Sequence, residues 1–365
     1  MSPAGEGAEG LALIKPGVRA QSAYTLRAPA APRKLNQNES PWDAPPELKQ
    51  EVLAAAAAAP WQRYPEFAPE SLLDALASRY GWTPDGVLVG NGSNELIQAT
   101  LAVTLAAGDV VVAPSPTFSL YRLLAGVLGA RYRAVPLGPG FAFDVDALIE
   151  AAVRDRARVV VLNSPNNPTG SALPQGAVER VLEETGAFVV CDEAYQEFGG
   201  TTALPLLSRS SRLVVLRTFS KALGLAGLRF GVALAHPVVV REIAKGKLPY
   251  NVNVVTLAAA AAALRHAPTL EARTRDIVAV RDRFIVRLGE LPGLTVFPSA
   301  ANFVLIRCDA LPAAEVFHRL LGDHGILVRD VSGAAELAQC LRISVGTEED
   351  MAAVVEALRA VNSER

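Results

Sequence analysis

Ala187-Phe188-Val189-Val190-Cys191-Asp192-Glu193 is the stretch on which the fold turns. Five apolar residues run without the polar alternation of a half-solvated strand, and two carboxylates follow at once. Such a run reads as a strand buried on both faces, the habit of a parallel sheet. The pattern recurs on either side. Arg158 to Leu162 is almost purely β-branched and apolar and ends in Asn163-Ser164-Pro165, while Leu213 to Leu216 ends in Arg217-Thr218. Upstream, Val87-Leu88-Val89 precedes a glycine turn and a helix beginning near Ser93, and Asp109 to Val112 ends at the Pro114/Pro116 turn. Helical stretches lie between these runs. The expectation is an α/β fold in which ligands sit beyond the carboxyl ends of the strands, where the polar clusters fall.

The rest of the chain frames that sheet. Pro46 to Ala59 is helix-like and stops at Pro60; Pro69 to Tyr80 carries Leu72, Leu73 and Leu76 at helical spacing, with Gly81 after it. Beyond residue 250 the pattern changes. A long helical stretch from Val252 to Leu288, interrupted near Pro268, leads into short strands around Leu294–Val296, Phe303–Ile306, Ile326–Val328 and Leu341–Val345, and a closing helix from Glu348. The expected division is an arm over residues 1–45 that contributes to the small domain and the site, a large domain over 46–250, and a small α+β domain over 251–365.

Bulk properties narrow the function. Of 365 residues half are hydrophobic, enough for sizeable cores, and 35 basic against 37 acidic residues give a net charge of −2. A nucleic-acid binder would show a clustered basic excess, so no such partner is expected. Cys191, Cys308 and Cys340 are scattered with no CxxC pair, which gives no metal or redox pattern and suits a reducing compartment. The N-terminal charge order is the reverse of a secretory signal, and the alanine-rich stretches are too short to cross a bilayer. A cytoplasmic enzyme, away from membranes, is expected.

Four strand-end segments carry chemistry. In Thr218-Phe219-Ser220-Lys221, two hydroxyl residues precede a lysine directly after a buried strand, and Arg229 follows across a glycine-rich stretch. The hydroxyls and the guanidinium can hold a phosphate, while the amine can form an imine with an aldehyde. Asn163 to Gly170 offers Asn167 as a side-chain donor. Asp192 and Tyr195 present a carboxylate and a phenol from one strand end. Gly90-Asn91-Gly92-Ser93-Asn94-Glu95 opens a helix whose free N–H groups suit an anion. It is no dinucleotide fingerprint, because Glu95 replaces the third glycine.

Together, and in this order, the four segments resemble the fold-type I pyridoxal 5'-phosphate aminotransferases of class I/II, from about Leu35 onward. The resemblance implies a large domain built on a mostly parallel seven-stranded sheet sandwiched by helices, with a smaller α+β domain. It assigns Lys221 as the lysine that bonds the cofactor and moves the substrate Cα proton. Asp192 becomes the partner of the pyridine nitrogen, with Asn167 and Tyr195 as donors to the ring oxygen. The phosphate falls to Gly92, Ser93, Asn94, Thr218, Ser220 and Arg229, and Phe118 stacks on the ring.

A second set resembles the histidinol-phosphate aminotransferases. It comprises Ile14-Lys15-Pro16-Gly17-Val18 with Tyr24, Leu35-Asn36-Gln37-Asn38-Glu39-Ser40-Pro41, Arg63-Tyr64-Pro65, and Ile326 to Asp330 followed by Arg342. This implies that Tyr24, Asn38, Arg329 and Arg342 bind substrate, the two arginines and Tyr24 gripping the phosphate of L-histidinol phosphate. The other amino partner is then 2-oxoglutarate or glutamate. It also implies a homodimer in which Tyr64 reaches the neighbouring subunit's cofactor phosphate. Ser40 and Asn94 depart from the family pattern, which usually has Asn and Asp there. Aromatic-amino-acid aminotransferases and threonine-phosphate decarboxylases share the cofactor residues and differ in what Arg329 and Arg342 grip. A cofactor-sensing regulator would need a separate DNA-binding domain, for which the arm is too short.

Overall fold

The computed structural model describes residues 9–23 and 29–363. Seven strands form the main sheet: β1 (Val87–Asn91), β2 (Val110–Ser115), β3 (Arg131–Pro136), β4 (Val159–Asn163), β5 (Phe188–Asp192), β6 (Leu213–Thr218) and β7 (Phe230–Ala235). Their spatial order is β1-β7-β6-β5-β4-β2-β3. The five strands from β3 to β6 in that order are parallel, and β7 runs against both β6 and β1.

The apolar runs are uninterrupted because alternate residues feed two separate cores. Val160, Leu162, Val189, Cys191, Val215 and Val232 face one side. Val159, Val161, Val190, Val214, Leu216 and Ala233 face the other. The first core is closed by α1 (Pro46–Ala58), α2 (Glu70–Tyr80) and later helices; the second by α3 (Ser93–Thr104) and α4 (Leu120–Leu128). Proline at the start of α1 presets the helical φ, and an alanine run propagates it. Gly81, at φ 64°, ends α2 in the left-handed conformation. On the first face, α5 (Val145–Arg154), α6 (Ala177–Glu184) and α8 (Val254–Arg265) complete the layer, while α7 (Pro237–Ile243) joins the second.

The smaller unit has a four-stranded antiparallel sheet. It is built from β8 (Leu294–Val296), β9 (Phe303–Cys308), β10 (Arg329–Asp330) and β11 (Cys340–Ser344), in the order β10-β11-β9-β8. Against it pack α9 (Ala267–Gly289), α10 (Ala313–Gly322) and α11 (Glu348–Ser363) through Ile277, Phe284, Val316, Leu320, Val354 and Leu358. The cores change hands later than residue 250. Ala259, Ala263 and Leu270 belong to the large core, whereas Ile277 belongs to the small one, so α9 bridges the two.

The arm enters between them. Arg33 and Lys34 pair in parallel with Ile326 and Leu327. Leu35 then donates its N–H to the Leu327 carbonyl (2.8 Å) and accepts from the Ser344 N–H (2.9 Å). Among the described residues no helix is long and apolar enough to cross a membrane.

Candidate active site

The polar strand ends meet where β4, β5 and β6 stop. Lys221 stands three residues past β6, on a turn anchored by the fully buried Phe219, whose N–H bonds the Phe230 carbonyl at 3.0 Å. Its Nζ donates to the Gln37 carbonyl at 2.9 Å and lies 5.8 Å from the centre of the Tyr195 ring. Burial, then the nearby Arg342 guanidinium, draws its pKa down to about 7 against the opposing pull of Glu39. The amine is therefore available in neutral form near pH 7, as a nucleophile or base requires.

Strand alternation separates the two neighbouring carboxylates. Glu193 is claimed by Arg217 at 2.6 Å, with Thr202 and the Ala203 N–H on its oxygens, so it is a buried structural pair. Asp192 turns the other way. Its Oδ2 accepts from the Tyr121 hydroxyl at 2.6 Å and its Oδ1 from the Ala194 N–H at 3.1 Å. Burial raises its pKa, and those two donors work against that rise. Each oxygen keeps a lone pair for a further donor.

Asn163 stitches the adjacent loops. Its Nδ2 donates to the Asp192 carbonyl (3.1 Å) and its Oδ1 accepts from the Asn167 N–H (3.0 Å). Asn167 in turn accepts from Arg342 Nη1. The Tyr195 hydroxyl accepts from Asn38 Nδ2 at 3.0 Å. Phe118 is half-buried, its ring edge-on to Tyr121 at 5.7 Å between centroids.

Opposite lies a cradle for an anion. Gly92 caps α3 with φ 78°, and a Cβ there would lie 2.3 Å from Arg229 Nη2. A Cβ on Gly231 would likewise strike the Ser93 nitrogen at 2.3 Å. The two glycines let a guanidinium rest against the positive end of a helix. Gly92 brings no capping side chain, and Glu95 accepts from the Asn91 N–H just ahead of the helix, so the first-turn N–H groups beside Arg229 suit an anion. Arg229 also donates to Ser220 Oγ at 3.1 Å. The Thr218 hydroxyl accepts from the Ser220 N–H (3.1 Å) and donates to the Phe230 carbonyl (3.3 Å), which shapes the turn. Asn94 is exposed in the first turn of α3.

Across the site, Arg329 and Arg342 are direct partners on β10 and β11, so both side chains leave the same sheet face. Arg342 is buried; its Nη2 donates to the Asn36 carbonyl at 2.8 Å and its guanidinium sits 5.3 Å over the Phe303 ring. Asn38 is wholly buried; its N–H donates to the Ser344 hydroxyl (2.8 Å) and its carbonyl accepts from Asn302 Nδ2 (3.0 Å).

One expected residue lies outside this hydrogen-bonded cluster. Tyr64 is 80 % exposed and stacks on Tyr250 at 4.5 Å. Tyr24 lies outside the described residues. Three contributors carried no mark in the sequence. The Gln37 and Asn36 carbonyls are backbone groups, and Tyr121 reads as another core aromatic in its helix. Its one signal is its position three residues beyond Phe118.

Fold and site together define a class: the chain belongs to the aminotransferase class I and II family, whose model matches residues 33–358. Its relatives are specific. It is 42 % identical to a histidinol-phosphate aminotransferase of Chlorobaculum tepidum, over 89 % of this chain and 93 % of that one. It is 40 % identical to a histidinol-phosphate aminotransferase of Prosthecochloris aestuarii, over 95 % and 97 %. The crystal structure of histidinol-phosphate aminotransferase from Sinorhizobium meliloti in complex with pyridoxal-5'-phosphate superposes with a TM-score of 0.87 at 28 % identity. That match covers 96 % of this chain and 98 % of that one.

Proposed function

We propose that this chain is a cytoplasmic, homodimeric histidinol-phosphate aminotransferase that uses pyridoxal 5'-phosphate and serves histidine biosynthesis. The residues present fit the cofactor. The cradle of Gly92, the Ser93 and Asn94 N–H groups, Ser220 and Arg229 takes its phosphate, with Thr218 holding the turn. Asp192 takes the ring nitrogen, Asn167 and Tyr195 face the ring oxygen, and Phe118 covers the ring. When bound, the cofactor supplies an aldehyde carbon for amines and a ring that draws electrons from the substrate Cα.

The chain's own part is positional and acid–base. Lys221, its pKa drawn to about 7 by burial and by Arg342, takes the proton from the substrate Cα and would pass it to the C4′ carbon of the bound cofactor. Arg329 and Arg342 grip the phosphate of L-histidinol phosphate, or a carboxylate of 2-oxoglutarate or glutamate, with Asn38 and Tyr24 beside them. Tyr64, exposed on its own chain, completes the partner's phosphate cradle.

The observation that carries this reading is the Arg329–Arg342 pairing. Two like charges opposite one another on a strand pair are unfavourable unless an anion joins them. Arg342 also touches Asn167, which joins the substrate end of the site to the cofactor end. The test compares turnover of L-histidinol phosphate, phenylalanine and threonine phosphate by the purified protein. Preference for the first is expected, with Arg329→Gln losing that preference; a preference for phenylalanine overturns the substrate. A fully active monomer in sedimentation overturns the dimer.

A further inference from the structure

Tyr121 is the second residue of α4 and is completely buried among Leu96, Ile97, Val161, Val190 and Leu216. A tyrosine buried to that degree needs a partner for its hydroxyl, since an unmatched one would carry the full cost of desolvation. The partner is the Asp192 carboxylate at 2.6 Å, within the short range of charge-assisted O–H···O⁻ bonds.

Two elements therefore grip this carboxylate. Tyr121 comes from α4 and holds Oδ2, while the Ala194 N–H comes from the turn after β5 and holds Oδ1. With one donor on each oxygen, from two different elements, rotation of the carboxylate is opposed on both sides. Burial also pushes the Tyr121 phenol well above its ordinary pKa, so it stays a donor throughout the working range. The other titratable groups facing the pair are Tyr132 and Tyr195 toward the phenol and Cys191 beside the carboxylate. None of them brings a cation, which leaves the phenol as the only side-chain donor recorded on Asp192 among the described residues.

We infer that Tyr121 is a positioning residue: its hydrogen bond holds Asp192 ionised and aimed at the ring nitrogen of the cofactor. The inference rests on Asp192 being the ring partner, as proposed above. Tyr121 also meets Phe118 edge-on, so one turn of chain sets both the carboxylate and the ring that covers the cofactor.

Tyr121→Phe deletes one oxygen and keeps the ring that fills the core. The measurement is the dissociation constant of the cofactor-free protein for pyridoxal 5'-phosphate and for its 1-deaza analogue, in which carbon replaces the ring nitrogen. Tyr121→Phe is expected to weaken the natural cofactor about tenfold, or ~1.4 kcal/mol, and the analogue less than about twofold. Equal weakening of both, or of neither, overturns the inference, because a purely structural phenol does not distinguish nitrogen from carbon. Tyr121→Met, which also lacks the hydroxyl but adapts to the core, goes through the same comparison should the phenylalanine variant fail to fold. Asp192→Asn separates the two levels. If it binds the natural cofactor as the parent does, the ring-partner reading itself falls. If it loses the preference for nitrogen while Tyr121→Phe keeps it, only the Tyr121 inference falls.

Discussion

Gly92→Ala tests the anion cradle at its narrowest point. The backbone at 92 has φ 78°, where a Cβ costs roughly 1–2 kcal/mol of folding stability. That Cβ would also lie 2.3 Å from Arg229 Nη2, against ordinary contacts near ~3.5 Å, so the guanidinium must retreat by about 1 Å. The retreat breaks its alignment with Ser220 and with an anion at the α3 N-terminus. Loss of one hydrogen bond to a charged group is about 1.5–3 kcal/mol, which lowers cofactor affinity by roughly 10- to 150-fold. Gly81→Ala separates the two effects, because Gly81 has φ 64° but nothing within 4 Å of its would-be Cβ. Both variants should lose stability similarly in denaturant titrations, whereas in fluorescence titrations with pyridoxal 5'-phosphate only Gly92→Ala should lose affinity. Parental affinity in Gly92→Ala, or an equal loss in Gly81→Ala, refutes the cradle.

Three further outcomes are expected. The rate of cofactor capture by the unloaded protein should rise with pH around a midpoint near 7, since Lys221 reacts as the neutral amine. Arg342→Gln removes a cation that favours that form, so the midpoint should move upward; a pH-independent capture rate contradicts this. The same shift has a sign in stability. Between pH 7 and the ordinary lysine value of 10.5 the unfolded chain holds the extra proton, so the unloaded protein should gain stability with rising pH across that window, and Lys221→Met should not. Lys221→Ala should abolish turnover and the visible absorbance of the loaded protein, which spectroscopy and coupled assays will read. Arg217→Met strands Glu193 in the interior and should cost about 3–5 kcal/mol in unfolding free energy, with cofactor affinity in the folded protein unchanged.

Most of the sheet was legible because its strands are buried on both faces and read as solid apolar runs. Two strands were not. Arg131–Pro136 is an edge strand with only Val135 buried, so its sequence looks like a polar loop. Phe230–Ala235 is small and follows the glycine-rich stretch after Lys221, which hides its start. In the site, Lys221, Asp192 and Asn167 could be found because each sits at the carboxyl end of a strand or a few residues beyond it, and Arg229 because it closes the glycine-rich stretch after Lys221. The resemblance assigns Asp192 over Glu193, and the structure separates the two carboxylates by strand alternation and the Arg217 pair. What stayed hidden was carried by main chain or by ordinary core residues. A carbonyl that receives Lys221 or Arg342 leaves no trace in residue type, and a buried tyrosine is most often core.

The short run from Arg33 to Asn38 bears on how the chain acquires its activity at all. Its carbonyls receive Lys221 and Arg342, and its first residues pair with Ile326 and Leu327. Asn36 and Arg342 are 306 positions apart. On a ribosome this segment is made well before residues 326–344 and must wait for them before its strand pairing can form. The large sheet can form meanwhile, since all seven of its strands lie between residues 87 and 235, but its catalytic face stays open. Closing so long a loop comes late and slowly. Completion of the site is thereby tied to synthesis having passed Arg342, and a chain cut short of that residue can carry the lysine without the frame that makes it reactive.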